Sequence, residues 1–211
     1  MRRALILALV SLTLPMAAWA DGIDLLNHFG SITISTAGIT SKGSQLFQFN
    51  GVNAGHSLGS VSFSTGALVS GSIQAGGIFS SVGSSFSVVG KGNGGEPKGV
   101  IFSGAFTGPI TWTLVSQNGQ NLTFQLTGTL VGQLYNGTTV SGTTTQLFRT
   151  TPAQLAQGIV HITSGQTHLT GVPEPGTLGL LGLGLVGIAH RARRKLLLGS
   201  ATRGSSEVSR T

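Results

Sequence analysis

"ITWTLVSQNGQNLTFQLTGTLVGQL", residues 110–134, contains two runs in which every second residue is apolar, with a polar Asn-Gly turn signal between them. Alternation at period two puts Ile110, Trp112 and Leu114 on one face of an extended strand and Thr111 and Thr113 on the other. Leu122, Phe124 and Leu126 repeat the pattern beyond the break. Asn118 and Gly119 are residues that accept the positive φ angles of a type I′ turn, so Ile110 to Leu126 reads as an antiparallel hairpin. A second Asn-Gly pair, Asn136 and Gly137 in "YNGTT", predicts another turn of the same chemistry.

The same texture extends in both directions from this hairpin. "SITIST" (31–36), "QLFQF" (45–49), "SVSFS" (60–64), "FSVVG" (86–90), "GVIFSGAF" (99–106) and "IVHIT" (159–163) are short, hydroxyl-rich and separated by glycine. Many short alternating strands with turn residues between them define an all-β domain over 21–171, an antiparallel β-sandwich or a barrel-like closure. Helix is scarce. "IDLLNHF" (23–29) is expected to form a short turn. "TPAQLAQG" (151–158) has Pro152 at a first helical position and Gly158 as a stop, so it reads as a capped turn. "GKGNGGEPKG" (90–99) is the most polar stretch and is expected to be an exposed loop.

Charge is unevenly distributed along the chain. The 211 residues carry a formal net charge of +7. Eight of the twelve lysines and arginines lie before residue 4 or beyond residue 190. Between Asp21 and Gly171 only Lys42, Lys91, Lys98 and Arg149 face Asp21, Asp24 and Glu96. No basic cluster able to neutralise a row of phosphates is visible in that stretch, which argues against nucleic acid as a partner. There is no cysteine, so disulfides, thiolate metal sites and a cysteine nucleophile are all excluded.

The residues that carry catalysis are also few. General acid–base chemistry needs paired carboxylates or a partnered histidine. Glu96, between Lys91 and Lys98, reads as a solvated, salt-bridging loop residue. His28, His56, His161 and His168 show no metal-ligand spacing, although His161 and His168 on neighbouring strands would be the pair to share an ion. No G-x-S-x-G elbow precedes a helix, and calcium would need more carboxylates than the domain holds. The expectation is therefore a non-enzymatic domain with no metal and no cofactor. A secreted hydrolase would require Glu96 or a histidine pair to converge in a pocket. Trp112 and Tyr135 are the large amphipathic aromatics of the domain and its candidate ligand contacts, with Trp112, alternating with threonines, leaning toward the core.

The ends of the chain read as address labels. Arg2 and Arg3, the apolar "ALILALVSLTL" (4–14), Pro15, and Ala18 and Ala20 in an A-x-A arrangement describe a signal peptide over 1–20. That implies the secretory translocon and signal peptidase as partners. Near the other end, Pro173, Glu174 and Pro175 precede an apolar glycine- and leucine-rich run, Gly176 to Ala189, followed by Arg191, Arg193, Arg194 and Lys195. As a helix the run covers about 21 Å, short of the ~30 Å hydrocarbon core. The cations keep the end that carries them cytoplasmic, which places residues 21–171 outside. "GLGLVG" (182–187) matches a dinucleotide-binding fingerprint in letters only, because no strand precedes it and no acidic residue follows at the required distance.

This ordered set over 172–195 closely resembles the PEP-CTERM sorting signal of Gram-negative bacteria. The resemblance implies export, transient inner-membrane retention by the short C-terminal helix, and processing near Pro173–Pro175 by exosortase, a membrane-embedded transpeptidase. It also implies a final place at the cell surface or outside it, in association with exopolysaccharide and biofilm matrix. It assigns no chemistry to residues 21–171. A permanent tail anchor is the alternative. Residues 196–211 continue past the cations, where such signals usually stop, and read as a disordered cytoplasmic tail.

Overall fold

The structure, a computed structural model, describes residues 22–172 and residue 184. Its strands are β1 (Ile23–His28), β2 (Ser31–Ser35), β3 (Gly38–Phe49), β4 (Val52–Asn53), β5 (Gly59–Ser64) and β6 (Leu68–Ser72). They continue with β7 (Gly76–Phe79), β8 (Ser85–Gly90), β9 (Gly99–Asn118), β10 (Asn121–Leu134), β11 (Thr139–Thr150) and β12 (Ile159–Gly171). One short helix, α1 (Pro152–Ala156), joins β11 to β12.

Eight strands close on themselves in the order β10, β11, β12, β1, β3, β5, β8, β9 and back to β10. Of the two all-β arrangements the sequence allows, the molecule takes the closed barrel. Every pairing is antiparallel. The remaining strands extend runs already in the wall. β1 and β2 both pair with β12 and with β3, so they form one strand broken at Phe29 and Gly30, which take φ of 57° and 103°. β7 pairs along β9 beyond β8, and β6 pairs with β7, so the β5–β6 and β7–β8 runs carry the wall past the closed ring. Counted as runs, the chain goes up and down eight times, each run beside its sequence neighbour, and the last joins the first. Closure removes the open edges that an eight-strand sheet would otherwise expose.

Within 23–29, where a short turn is expected, Ile23–His28 form a strand instead. Ile23, Leu25 and Asn27 are buried at alternate positions and the segment pairs on both sides, so barrel closure decides its conformation. The capped turn is present: the Thr151 hydroxyl accepts the Gln154 N–H, and the Gln154 side chain accepts the Thr151 N–H in a capping box. Leu155 is buried from this helix, and Gly158 closes it at φ 71°. The β9–β10 hairpin runs from Ile110 to Leu126 as expected, but its turn is Gly119–Gln120. Asn118 pairs with Asn121, and of the two turn residues Gly119 alone has positive φ, 59°. That is the type II′ arrangement, in which glycine occupies the first central position. At the second turn the Gly137 N–H donates to Leu134 O and Gly137 takes φ 81°, which fits a type I turn followed by a left-handed glycine.

Large side chains fill the interior. Trp112 stacks on Phe124 with ring centroids 4.6 Å apart, and Phe148 lies 5.2 Å from Trp112. Phe63, Phe86, Phe102 and Phe106 form a second aromatic group of stacked and edge-on pairs. The interior also holds a polar seam. Asn27 and Gln146 exchange amide hydrogen bonds of 2.9 and 3.2 Å. The Asn27 amide also donates to Ser44, the Gln146 amide to Thr144, and Thr144 meets Thr167 at 2.8 Å. All five are buried, so the mutual bonds offset their desolvation. Outward positions carry threonine, serine and glutamine: Thr111, Thr127 and Thr145 lie side by side across three strands. A polar wall around an apolar interior suits water and is the reverse of a lipid-facing barrel.

Candidate functional site

One end of the barrel gathers the start of β1, the end of β3, the loop 91–98, the β10–β11 turn and the end of β12. These segments frame a shallow depression of about 340 Å³ lined by Phe49, Asn50, Gly95, Pro97, Tyr135 and Asn136, with Gly22, Ile23 and Leu134 completing the lining. Tyr135 stands at its rim, 59% exposed, and is held there by its N–H donating to Ile101 O at 2.9 Å. Asn50 adopts φ 48°, and its side-chain oxygen accepts the Asp24 N–H at 3.0 Å. Asn136 caps its own turn by accepting the Thr138 N–H. A tyrosine ring, a proline and the amide N–H donors of two asparagines around a shallow hollow are the chemistry that holds a sugar ring by stacking and hydrogen bonding.

Trp112, the other aromatic candidate, presents no face to a ligand. It is 1% exposed, and its Nε1–H donates to Ile73 O at 2.9 Å, which ties the β6–β7 connection to the barrel.

Glu96 is not the solvated ion-pair residue its lysine neighbours suggest. It is 4% exposed, and its carboxylate accepts the N–H groups of Asn93 at 3.0 Å and Gly94 at 2.9 Å. Desolvation alone would raise its pKa. Backbone N–H donors from Asn93, Glu96 itself, Gly94 and Gly92 outweigh that and hold the group below its ordinary 4.5. A carboxylate committed to its own loop is a structural tie. Gly95 and Pro97 on either side line the mouth while the acid turns inward.

His161 and His168 lie on the same strand, β12, seven residues and about 23 Å apart, so they cannot share an ion. His168 instead faces Asp24 across the β1–β12 seam, with Nδ1 and Oδ1 2.6 Å apart and both side chains half-exposed. No cluster of three potential metal ligands occurs among the described residues.

The exit of the chain is at the same end. β12 pairs with β11 up to Gly171, opposite Val140, and the Val172 N–H donates to Thr139 O at 3.1 Å. Pro173 follows directly in the sequence, so the folded wall and the Pro-Glu-Pro tract have no spacer between them. Pro173, Glu174, Pro175, the cations Arg191, Arg193, Arg194 and Lys195, and the cleavage-site residues Ala18 and Ala20 all lie outside the described residues. So do the expected signal peptide, short C-terminal helix and tail. Among the described residues, no helix is long and apolar enough to cross a membrane.

Fold and exit together define a polar-walled β-barrel whose last strand ends at Gly171, one residue before Val172 and the Pro-Glu-Pro tract. Residues 171–195 match the family model of the PEP-CTERM protein-sorting motif. The chain therefore carries that motif, which marks an exported protein of the cell envelope or surface with an exosortase-type processing partner. No curated protein and no solved structure matches the chain.

Proposed function

We propose that the protein is an exported, non-enzymatic surface or matrix component: a signal peptide sends it through the translocon, and an exosortase-type enzyme processes it near Pro173–Pro175. Association with exopolysaccharide then follows from its wall of hydroxyls and amides, which offers many weak hydrogen bonds to sugar and few charges. The observation that carries this reading is the sorting motif at 171–195, directly after the last barrel strand. Mass spectrometry of the protein released by its host is the test. The expected species begins at Asp21 and ends near the Pro-Glu-Pro tract. A released form that still reaches Thr211 would overturn processing, and a chain that stays in the membrane throughout would identify a tail-anchored protein. Replacing Pro173, Glu174 and Pro175 with alanine is expected to trap the protein in the membrane.

A narrower second reading is a carbohydrate-binding module centred on the mouth, favoured by Tyr135 standing exposed beside Pro97, Asn50 and Asn136. Tyr135→Ala is then expected to abolish retention on a neutral glycan while leaving the thermal melt unchanged.

A further inference from the structure

On the outer wall, the strand register brings an exposed aromatic stack and a row of basic side chains to neighbouring positions. At the break between β1 and β2, Phe29 holds φ 57°, a backbone state that glycine or asparagine takes readily and a bulky side chain does not. The residue is 59% exposed and its ring stacks on His28 with centroids 4.0 Å apart, and the His28 ring lies 4.2 Å from that of Phe47. The break requires a residue that tolerates positive φ. It does not require a phenylalanine, and keeping one there sets a strained aromatic face in solvent.

Beside this stack the strand register assembles charge that is dispersed in the sequence. Arg149 on β11 is opposite His161 on β12, and His161 is opposite Ser31 on β2. Ser41 on β3 is opposite Ile32, so Lys42, the next residue, continues the row. Arg149, His161, Ser31 and Lys42 are all exposed. At about 4.8 Å per strand the row spans roughly 15 Å of wall. Ser31 follows Phe29 by two positions, so rings and cations are contiguous. The described carboxylates are engaged elsewhere: Asp24 with His168, and Glu96 with its own loop.

We propose that this strip binds an acidic polysaccharide, with the Phe29 ring, backed by His28 and Phe47, stacking on a sugar face while Arg149, Lys42 and His161 meet the carboxylates of the chain. The assignment rests on the polysaccharide association proposed for the whole protein and narrows it to uronate-bearing polymers. Charge complementarity favours that partner over a neutral glucan. A nucleic acid fits less well: two permanent cations release few counterions, and a single exposed ring stack cannot follow successive bases.

The test passes the full-length protein over immobilised polygalacturonate, dextran and single-stranded DNA. Retention on polygalacturonate is expected at low ionic strength and lost on raising the salt to roughly 0.5 M, because the cations are surface groups. Arg149→Ala and Lys42→Ala are each expected to weaken retention about fivefold, the scale of an exposed charge contact. Phe29→Gly should weaken it comparably while raising the melting temperature, since glycine relieves the strained backbone; this separates loss of a ligand contact from loss of fold. Tyr135→Ala should leave polygalacturonate retention unchanged. Wild-type retention by both Phe29→Gly and Arg149→Ala, or tighter retention on DNA than on polygalacturonate, would overturn the strip. Retention on dextran alone would overturn the strip and leave the broader polysaccharide reading standing. Retention on neither glycan would remove both.

Discussion

At the scale of single residues, the polar groups that matter are those turned inward. Glu96 stands between two lysines in the sequence, yet its carboxylate accepts backbone N–H groups of its own loop and is buried there. Because these donors hold its pKa below 4.5, the folded state binds the proton less tightly than the unfolded chain does. The carboxylate's contribution is complete above that ordinary value and is lost as pH falls through the depressed folded one. Glu96→Gln removes this acid limb, because a neutral amide accepts at one oxygen only and turns a donor toward the second N–H. The expected result is a variant less stable at neutral pH by about 1–3 kcal/mol, the usual scale for a buried group left unsatisfied. Its melting temperature should also fall less than the parent's as pH is lowered below about 4.5. Parallel curves for parent and variant would show that the carboxylate does not tie the loop.

At the scale of elements, the β9–β10 hairpin makes a sharp claim about its turn. Gly119, at φ 59°, occupies the first central position and Asn118 is already paired in the strand. Gly119→Ala should therefore cost about 1–2 kcal/mol, the penalty for a Cβ in left-handed backbone. Asn118→Thr should change stability by less than about 0.5 kcal/mol, as surface strand substitutions do. Urea unfolding separates the two, and a larger loss at Asn118 would restore the I′ turn that the Asn-Gly pair suggests. The strands themselves were legible because alternation is a local signal: Ile110, Trp112, Phe124 and Leu126 announce their inward face. Closure was not, since a barrel and a sandwich demand the same alternation and differ only in which strands meet across long separations. Leu25 and Asn27 form strand because β12, more than 130 residues away, pairs with them. The inward Asn27–Gln146 pair was hidden for the same reason, its partners being 119 positions apart. Tyr135 at the mouth is identifiable by residue type alone, whereas the Arg149–His161–Ser31 row on the outer wall exists only once the register is fixed. Phe29 carries no sequence signal except its place before Gly30, a residue that often marks a bend.

At the scale of the whole molecule, the first and last runs share a seam, and the sorting tract begins just beyond it. Ile23 on β1 pairs with Leu169 on β12, and Asn27 with Gly165. Thr170 and Gly171 extend past that seam and, among the described residues, pair with Ser141 and Val140 of β11 alone. Under the processing proposed above, cleavage near the Pro-Glu-Pro tract would leave every described strand of the closed wall in place, the arrangement a protein needs if it is to be released without unfolding. The consequence is a position-dependent response to truncation. A chain stopped after Val172 retains both neighbours of β12 and should melt cooperatively at the temperature of the processed protein. A chain stopped after Thr163 lacks Gly165, Thr167 and Leu169, all buried, and leaves β1 and β11 with unpaired edges. It should show no cooperative transition by circular dichroism and should sediment as aggregate, because losing the part of β12 that pairs with β1 reopens a sheet whose interior is apolar. A cooperative melt from the shorter chain would mean that the wall closes without Ser164–Gly171 of β12, and a barrel sealed by the β12–β1 contacts would have to be abandoned.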